Sequence, residues 1–307
     1  MKIAVLGATG TVGQALVPLL AQQHDVLAVS RGPHETTDSV RWAVADATDA
    51  ATLHEVFAKV DVAYYLVHSL GSRDFEQRDR VAAANVAREA ERAGLRQLVY
   101  LGGLGDQSPE LSRHLRSRAE TAEILASGSV PLTTLRAAMV VGRGSAAFET
   151  IVALVDRLPG MICPRWVSTR TQPIALSDAA AYLAGAAGRD DMLGQSFDAG
   201  GPDVMTYREM IERVARIRGK RPLIVEVPVL TPRLSSYWLH LVTPVQADVA
   251  RPLIEGLRNA TVVRDDRLHR LMPLRQTRFD DAARDALSVR ASDHKPNRST
   301  SSDESRL

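Results

Sequence analysis

The stretch Gly7-Ala8-Thr9-Gly10-Thr11-Val12-Gly13 follows an apolar run at residues 3–6 and opens an apolar-periodic segment at residues 15–20. A strand, a glycine turn and a helix in that order restrict the chain to a βα start whose backbone doubles back at once. Glycines spaced three apart permit a tight turn, a close backbone approach at its centre and intimate packing of helix on strand. The unpaired N–H groups that begin such a helix suit a phosphate, so the segment reads as a dinucleotide cradle rather than an ordinary glycine turn. Gly7, Thr9, Gly10, Thr11, Val12 and Gly13 are the residues expected against that ligand.

Beyond the cradle, apolar strands alternate with helical patterns: strands at 26–30, 40–45, 62–67, 97–101 and 132–141, helices at 49–59, 75–93 and 112–126. The order predicts an α/β fold, a doubly wound parallel Rossmann sheet over residues 1–142. Ligands of such sheets lie outside the carboxyl ends of the strands, where Gly7, Arg31, Asp46, Leu66, Val67, His68, Gly102 and Ala138 fall. After Gly142 the alternation fades into sheet-edge elements and a small C-terminal α/β substrate lobe over 143–287, with strands at 172–175, 196–199 and 223–227 and helices at 178–187, 207–218, 232–242 and 246–257. From Ser288 the chain is rich in Ser, Arg and Asp, and a disordered tail is expected.

The second strand decides between nucleotides. An NAD site places an acidic residue at its end to hold the ribose 2′-hydroxyl. Here Ser30 is followed by Arg31, a cation suited to a 2′-phosphate, so NADP is expected ahead of NAD; the other reading is an exposed arginine in an arginine-rich chain. Asp46 and Ala47, after the third strand, are expected at the adenine edge.

At 307 residues and 45% hydrophobic, the chain can bury a substantial core. A net charge of +2 from 38 basic and 36 acidic residues, with no run of like charge, argues against nucleic acid. Cys163 is the sole cysteine, which suits a reducing cytoplasm. No signal-peptide order opens the sequence, no apolar run reaches membrane-spanning length, and no metal site is expected. The expected partner is an apolar small-molecule substrate, with a protein partner or a homodimer left open.

The glycine turn, Asp46 and the later pair Arg136 and Gly142 resemble the extended and atypical short-chain dehydrogenase/reductase superfamily. Tyr64-Tyr65-Leu66-Val67-His68-Ser69, Tyr100-Leu101-Gly102-Gly103-Leu104, and Pro164-Arg165-Trp166 with Gln172-Pro173-Ile174 resemble a bacterial NAD(P)H-binding branch related to the dehydrogenase-like accessory subunit of respiratory complex I. The resemblance implies oxidoreductase chemistry by a tyrosine and a lysine four residues later, on one helical face.

Here the sequence departs from the family. The residues four after Tyr64, Tyr65, Tyr100, Tyr182, Tyr207 and Tyr237 are His68, Ser69, Leu104, Ala186, Ile211 and Leu241. The lysines are Lys2, Lys59, Lys220 and Lys295, none in the helix concerned, and Gly102 and Gly103 stand where the usual serine is expected. His114 and Arg118 hold the i, i+4 relation instead. A histidine titrating near neutrality is a candidate general acid, and Arg118 is a candidate for the ribose hydroxyls that cannot relay a proton. The competing reading is a chance pair on a solvated face. His68 is a second catalytic candidate, or a strand-end histidine bonded to backbone. Phe148, Met161, Trp166, Tyr182, Tyr237 and Trp238 are either pocket wall or core, and Arg136 either binds an acidic substrate group or pairs with a carboxylate. Two functions follow: an NADPH-dependent oxidoreductase on a carbonyl, enone or quinone-like substrate, or a non-catalytic NADPH sensor or assembly protein. A dehydratase or epimerase is a lesser third.

Overall fold

A computed structural model describes residues 1–37, 40–69, 72, 74–105, 111–227 and 256–292. The apolar run after Met1 forms β1 (Lys2–Leu6), and the glycine turn leads into α1 (Thr11–Ala21). There follow β2 (Asp25–Ser30), β3 (Arg41–Val44), α2 (Ala50–Phe57), β4 (Val62–Tyr65), α3 (Phe75–Ala93), β5 (Gln97–Gly103), α4 (Arg113–Ala126) and β6 (Leu132–Ala137). These strands and β11 (Ser196–Ala199) make one seven-stranded sheet in the order β11-β6-β5-β4-β1-β2-β3. Every pairing in it is parallel. The order reverses between β1 and β4, and the crevice of a doubly wound sheet opens at that point.

The sheet is buried on both faces, as a parallel sheet must be. Successive residues of β1 point to opposite sides. Ile3 and Val5 enter the cluster with Leu16 and Leu20 of α1, whereas Ala4 and Leu6 join Leu53, Phe57, Val86 and Leu125. The starts of α2 and α4 have the side-chain caps their sequences supply. Asp49 accepts the N–H of Ala51 before α2, and Ser112 accepts that of Leu115 in α4.

The strand expected at 132–141 is two strands. After β6 the chain leaves the sheet, and β7 (Val140–Val141) pairs in parallel with β10 (Ile174–Ala175). The cause is local: Ala138 and Met139 peel off to line the crevice, and the Met139 carbonyl accepts the N–H of Ile174. The strand expected at 172–175 forms only at its end, as β10; just before it, outside the expected span, β9 (Arg170–Thr171) pairs antiparallel with β12 (Met205–Thr206). Helix α6 (Leu176–Gly185) packs on α1, so with β11 it belongs to the main sheet layer.

The remainder forms a lobe: α5 (Ala146–Arg157), β8 (Gly160–Pro164), α7 (Tyr207–Ile217), β13 (Leu223–Val227), α8 (Arg267–Leu271) and α9 (Phe279–Ser292). Its core joins Phe148, Ile151 and Val155 of α5 to Met210, Ile211 and Val214 of α7 and Phe279 and Ala283 of α9. Helix α9 runs to Ser292, past the boundary at Ser288 where a tail was expected, since Ala282, Ala283, Ala286 and Leu287 anchor it in that core. The rest of the expected tail, the expected helix at 232–242 and most of that at 246–257 lie outside the described residues.

Candidate functional site

Gly7 closes β1 in the left-handed region at φ 85°, and its N–H and that of Ala8 donate to the Val29 carbonyl, joining the turn to β2. A Cβ on Gly13 would lie 2.3 Å from the Gly7 oxygen and 2.7 Å from the Ala8 Cα, so only glycine lets α1 seat here. A Cβ on Gly10 would meet only the Gly7 oxygen, at 3.2 Å, and otherwise fill open space. Gly10 caps α1 without a side-chain bond, and the first bond of the helix is from the N–H of Gln14 to the Gly10 carbonyl. The amides of Thr11, Val12 and Gly13 are therefore the orphan donors of the helix start. With Gly7 and Gly10 these residues line a cavity of about 460 Å³. A glycine-walled recess with free amides fits the pyrophosphate of a dinucleotide. The Thr11 hydroxyl is engaged elsewhere, donating to the Gly144 carbonyl at 2.7 Å.

Six of the expected contact residues stand outside this cavity wall: Thr9, Ser30, Arg31, Asp46, Ala47 and Val67. Thr9 is exposed, and its carbonyl accepts Nε2 of Gln14. Ser30 is buried and donates to the Gly32 carbonyl, which shapes the turn holding Arg31. Arg31 is exposed and acts electrostatically on Asp46. Asp46 accepts the N–H (2.8 Å) and the hydroxyl (2.7 Å) of Thr48, and those bonds, assisted by Arg31 and Arg78, hold its carboxyl below the usual carboxylate range. One of its oxygens thus shapes its own loop before any ligand arrives. The Ala47 carbonyl accepts Nδ2 of Asn85, and Val67 packs on the core.

The opposite wall is built by the ends of β4, β5 and β6 and by α4. Leu66, His68, Gly102, His114, Arg118 and Ala138 all line the cavity, as the topology requires. Arg118 donates to the Leu101 carbonyl, and its guanidinium lies 5.3 Å from the centre of the Tyr100 ring. Behind it, the buried carboxylate of Asp79 accepts the N–H of Ser69 (2.9 Å) and the hydroxyl of Ser117 (3.3 Å), tying the loop after His68 to α4.

The two imidazoles do not titrate near neutrality. Surrounding protein, then Arg118, then His68 push His114 down to about 3. His68 opens to the crevice, yet the protein around it and Arg118 push it down to about 4. Contact with solvent in the crevice moderates these shifts; their common direction is toward the neutral ring. That direction favours a neutral N–H at His114 over the protonated ring that its ordinary value would allow.

The phenols are withdrawn from this wall. Tyr64 donates to the Leu183 carbonyl at 2.7 Å, Tyr100 to the Arg118 carbonyl at 3.2 Å, and Tyr65 is buried. Burial raises all three. Arg136 is paired with Asp198 at 2.6 Å. Of the aromatic and apolar candidates, Trp166 lines the cavity, while Phe148, Met161 and Tyr182 are core. Tyr237 and Trp238 lie outside the described residues.

At the far end of the cavity, sequence reasoning offered Trp166 but missed Met139, Ile151, Leu154, Tyr207 and Ile211, which with it form a largely apolar chamber. Tyr207 and Trp166 meet edge to face there, with ring centres 6.5 Å apart. The available signal was the helical period of Phe148, Ile151, Val152 and Val155, which marks α5. Among the described residues no cluster of metal-ligating side chains occurs, and no helix is long and apolar enough to cross a membrane.

Residues 7–151 match a family model described as NAD(P)H-binding. The chain is 26% identical over 240 residues to the NADH dehydrogenase (ubiquinone) 1 alpha subcomplex subunit 9, mitochondrial, of Arabidopsis thaliana, covering 73% of this chain and 60% of that one. It is 26% identical over 228 residues to the (4-alkanoyl-5-oxo-2,5-dihydrofuran-3-yl)methyl phosphate reductase of Streptomyces griseus, covering 73% of this chain and 76% of the relative. It superposes on the triphenylmethane reductase of Citrobacter sp. complexed with NADP(H) with a TM-score of 0.74 and 18% identity, over 94% of this chain and 100% of that one. The chain thus spans about three fifths of the plant subunit's length. Residues 7–151 thus carry an NAD(P)H-binding domain, and the chain is similar to that complex I subunit over 240 residues.

Proposed function

We propose that the protein is an NADPH-dependent oxidoreductase acting on an apolar carbonyl, enone or quinone-like substrate without the usual tyrosine and lysine. The observation that carries this reading is the continuity of one cavity from the glycine cradle into the apolar chamber around Trp166 and Tyr207. A protein that only held the dinucleotide would need the first part alone. When bound, the dinucleotide supplies a hydride at its nicotinamide ring. The chain's part is to orient: α1 amides toward the pyrophosphate, Arg118 toward the ribose, and the His114 N–H toward a substrate oxygen, with α5 and α7 excluding water from the chamber. Arg31 supports NADP as the cofactor, because a guanidinium pairs with a phosphate and has no comparable partner in a ribose hydroxyl. We place the protein in a reducing cytoplasm on the strength of its single cysteine.

A non-catalytic NADPH sensor or assembly protein is the second reading, favoured by the withdrawal of Tyr64, Tyr65 and Tyr100 from the crevice. The test is anaerobic titration with NADPH and NADH, followed by quinone, enone and aldehyde acceptors, with His114→Ala alongside. Turnover that falls about tenfold or more in the variant supports the enzyme, in the range contributed by one positioned hydrogen-bond donor. Tight binding without turnover on any acceptor moves the assignment to the sensor.

A further inference from the structure

The crevice is electrostatically one-sided. Among the described residues that line it, Arg118 alone bears a full charge, and no carboxylate lines it. The groups in contact with its guanidinium, the Leu101 carbonyl and the Tyr100 ring, are neutral. The carboxylate it senses, Asp79, is buried behind the wall and engaged by Ser69 and Ser117. A cation facing a largely apolar cavity, with its counter-charge held behind the wall, favours an anionic occupant.

Two further side chains share that place. His68, after β4, and His114, in α4, line the same crevice and both act electrostatically with Arg118. Neither imidazole has a hydrogen-bond partner among the described residues, so each keeps a free N–H donor. The phosphates of a dinucleotide have their own donors in α1, on the other wall, and the Arg118 guanidinium proposed to face the ribose has further N–H groups for an anion beside it.

We propose that His68, His114 and Arg118 form an anion subsite, and that the ligand of the chamber is an apolar molecule carrying one oxyanion, such as a carboxylate, enolate or phenolate. The apolar body lies among Met139, Ile151, Trp166 and Tyr207, and the oxyanion against the three nitrogen-bearing side chains. This deepens the proposed oxidoreductase reading and rests on it for the identity of the crevice. Burial and then Arg118 push both imidazoles down; an anion between them opposes the second of these, so binding raises them and draws in protons increasingly as pH falls. The other ionisable groups around Arg118 do not supply that uptake. Asp79 on α3 is pushed up by burial and restrained by its two bonds, and the phenols of Tyr65 on β4 and Tyr100 on β5 are raised and stay neutral.

The probes are 2-naphthoate and its uncharged counterpart 2-naphthamide, titrated calorimetrically into bare and NADPH-saturated protein at about pH 6 and about pH 8, in buffers of different ionisation enthalpy. The expected result is about tenfold or greater preference for naphthoate near pH 6, smaller near pH 8, with net proton uptake, as a charge-assisted contact requires. Arg118→Gln and His114→Gln each reduce the preference for naphthoate over naphthamide. Proton uptake by the unmodified protein tests the subsite independently of whether either variant folds. Equal affinity for the two probes, failure of naphthoate to bind protein that binds NADPH, or a preference untouched by Arg118→Gln would overturn the proposal. A naphthoate preference on bare protein that fails to bind NADPH would refute the oxidoreductase reading and leave the subsite standing.

Discussion

Replacing the three cradle glycines one at a time by alanine separates what each does. At Gly13 the added Cβ would sit 2.3 Å from the Gly7 oxygen, 2.7 Å from the Ala8 Cα and 2.8 Å from the Ala8 carbonyl carbon. These are backbone atoms, so no side chain can swing aside, and α1 must move off β1 by about 1 Å to restore contact distance. Displacing a helix whose Leu16 and Leu20 are fully buried is overpacking at its more costly end, about 3 kcal/mol. At Gly7 the φ of 85° adds about 1–2 kcal/mol of left-handed strain. At Gly10 the backbone is extended, with φ −73° and ψ 165°, and the only neighbour is the Gly7 oxygen at 3.2 Å. Gly10→Ala therefore costs less than about 1 kcal/mol of stability. Its methyl group instead enters the recess in front of the α1 amides, and NADPH affinity falls by about tenfold or more. Urea unfolding followed by circular dichroism gives the first quantity, and fluorescence titration with NADPH the second. If Gly10→Ala unfolds as readily as Gly13→Ala, or binds NADPH like the unmodified protein, the assignment of separate structural and ligand roles is wrong.

Three further outcomes are expected. Arg31→Ala weakens NADPH binding by about 10- to 100-fold, the range of a lost charge-assisted bond, and leaves NADH nearly untouched; equal effects in parallel titrations would refute the NADP assignment. His68 and His114 have folded-state values pushed down to about 4 and about 3, below the unfolded value of about 6.5. The unfolded chain then binds more protons below that value, so stability is full above about pH 6.5 and declines as pH falls toward 4. Unfolding of His114→Gln across that range should show a shallower decline, and an unchanged slope would contradict neutral burial of His114. Tyr64→Phe removes the bond to the Leu183 carbonyl and costs about 1 kcal/mol, while NADPH binding and any turnover stay as they were; loss of turnover in a well-folded variant would show that this phenol is catalytic after all.

The cradle was legible because its constraint is local. Gly7, Gly10 and Gly13 are dictated by backbone proximity within a single turn, and α1 follows in the next residues. The sheet was legible for the same reason, since strands such as residues 3–6 and 62–65 are apolar runs set beside helical periods. Their partners were not: β11 takes its place beside β6 only because α6 folds back over α1. The split of β6 from β7 was hidden too, because Leu132 to Val141 reads as one strand until Ile174 offers Met139 a competing partner. Titration behaviour was illegible in principle. His114 is an ordinary helical histidine in the sequence, and its shift comes from protein packed around it by elements far away in the chain, together with Arg118 and His68.

In the proposed reading, holding the dinucleotide and acting on a substrate fall to opposite walls of the crevice, and the two walls use different chemistry. The β1–α1 wall offers backbone amides and the absence of Cβ atoms at three glycines. The α4 wall works through side chains, and there His114 and Arg118 stand in the i, i+4 spacing that the resemblance to short-chain dehydrogenases implies for a tyrosine and a lysine. A lysine ammonium beside a phenol eases loss of the phenol's proton; a guanidinium beside an imidazole drives that imidazole toward its neutral form. The exchange therefore does more than swap one acid for another. It converts a proton-donating pair into one fixed cation with neutral donors beside it. A substrate oxygen at His114 gains a hydrogen bond there rather than a proton, which favours acceptors whose reduced oxygen is stable as an anion over simple ketones, whose alkoxides demand a proton at once.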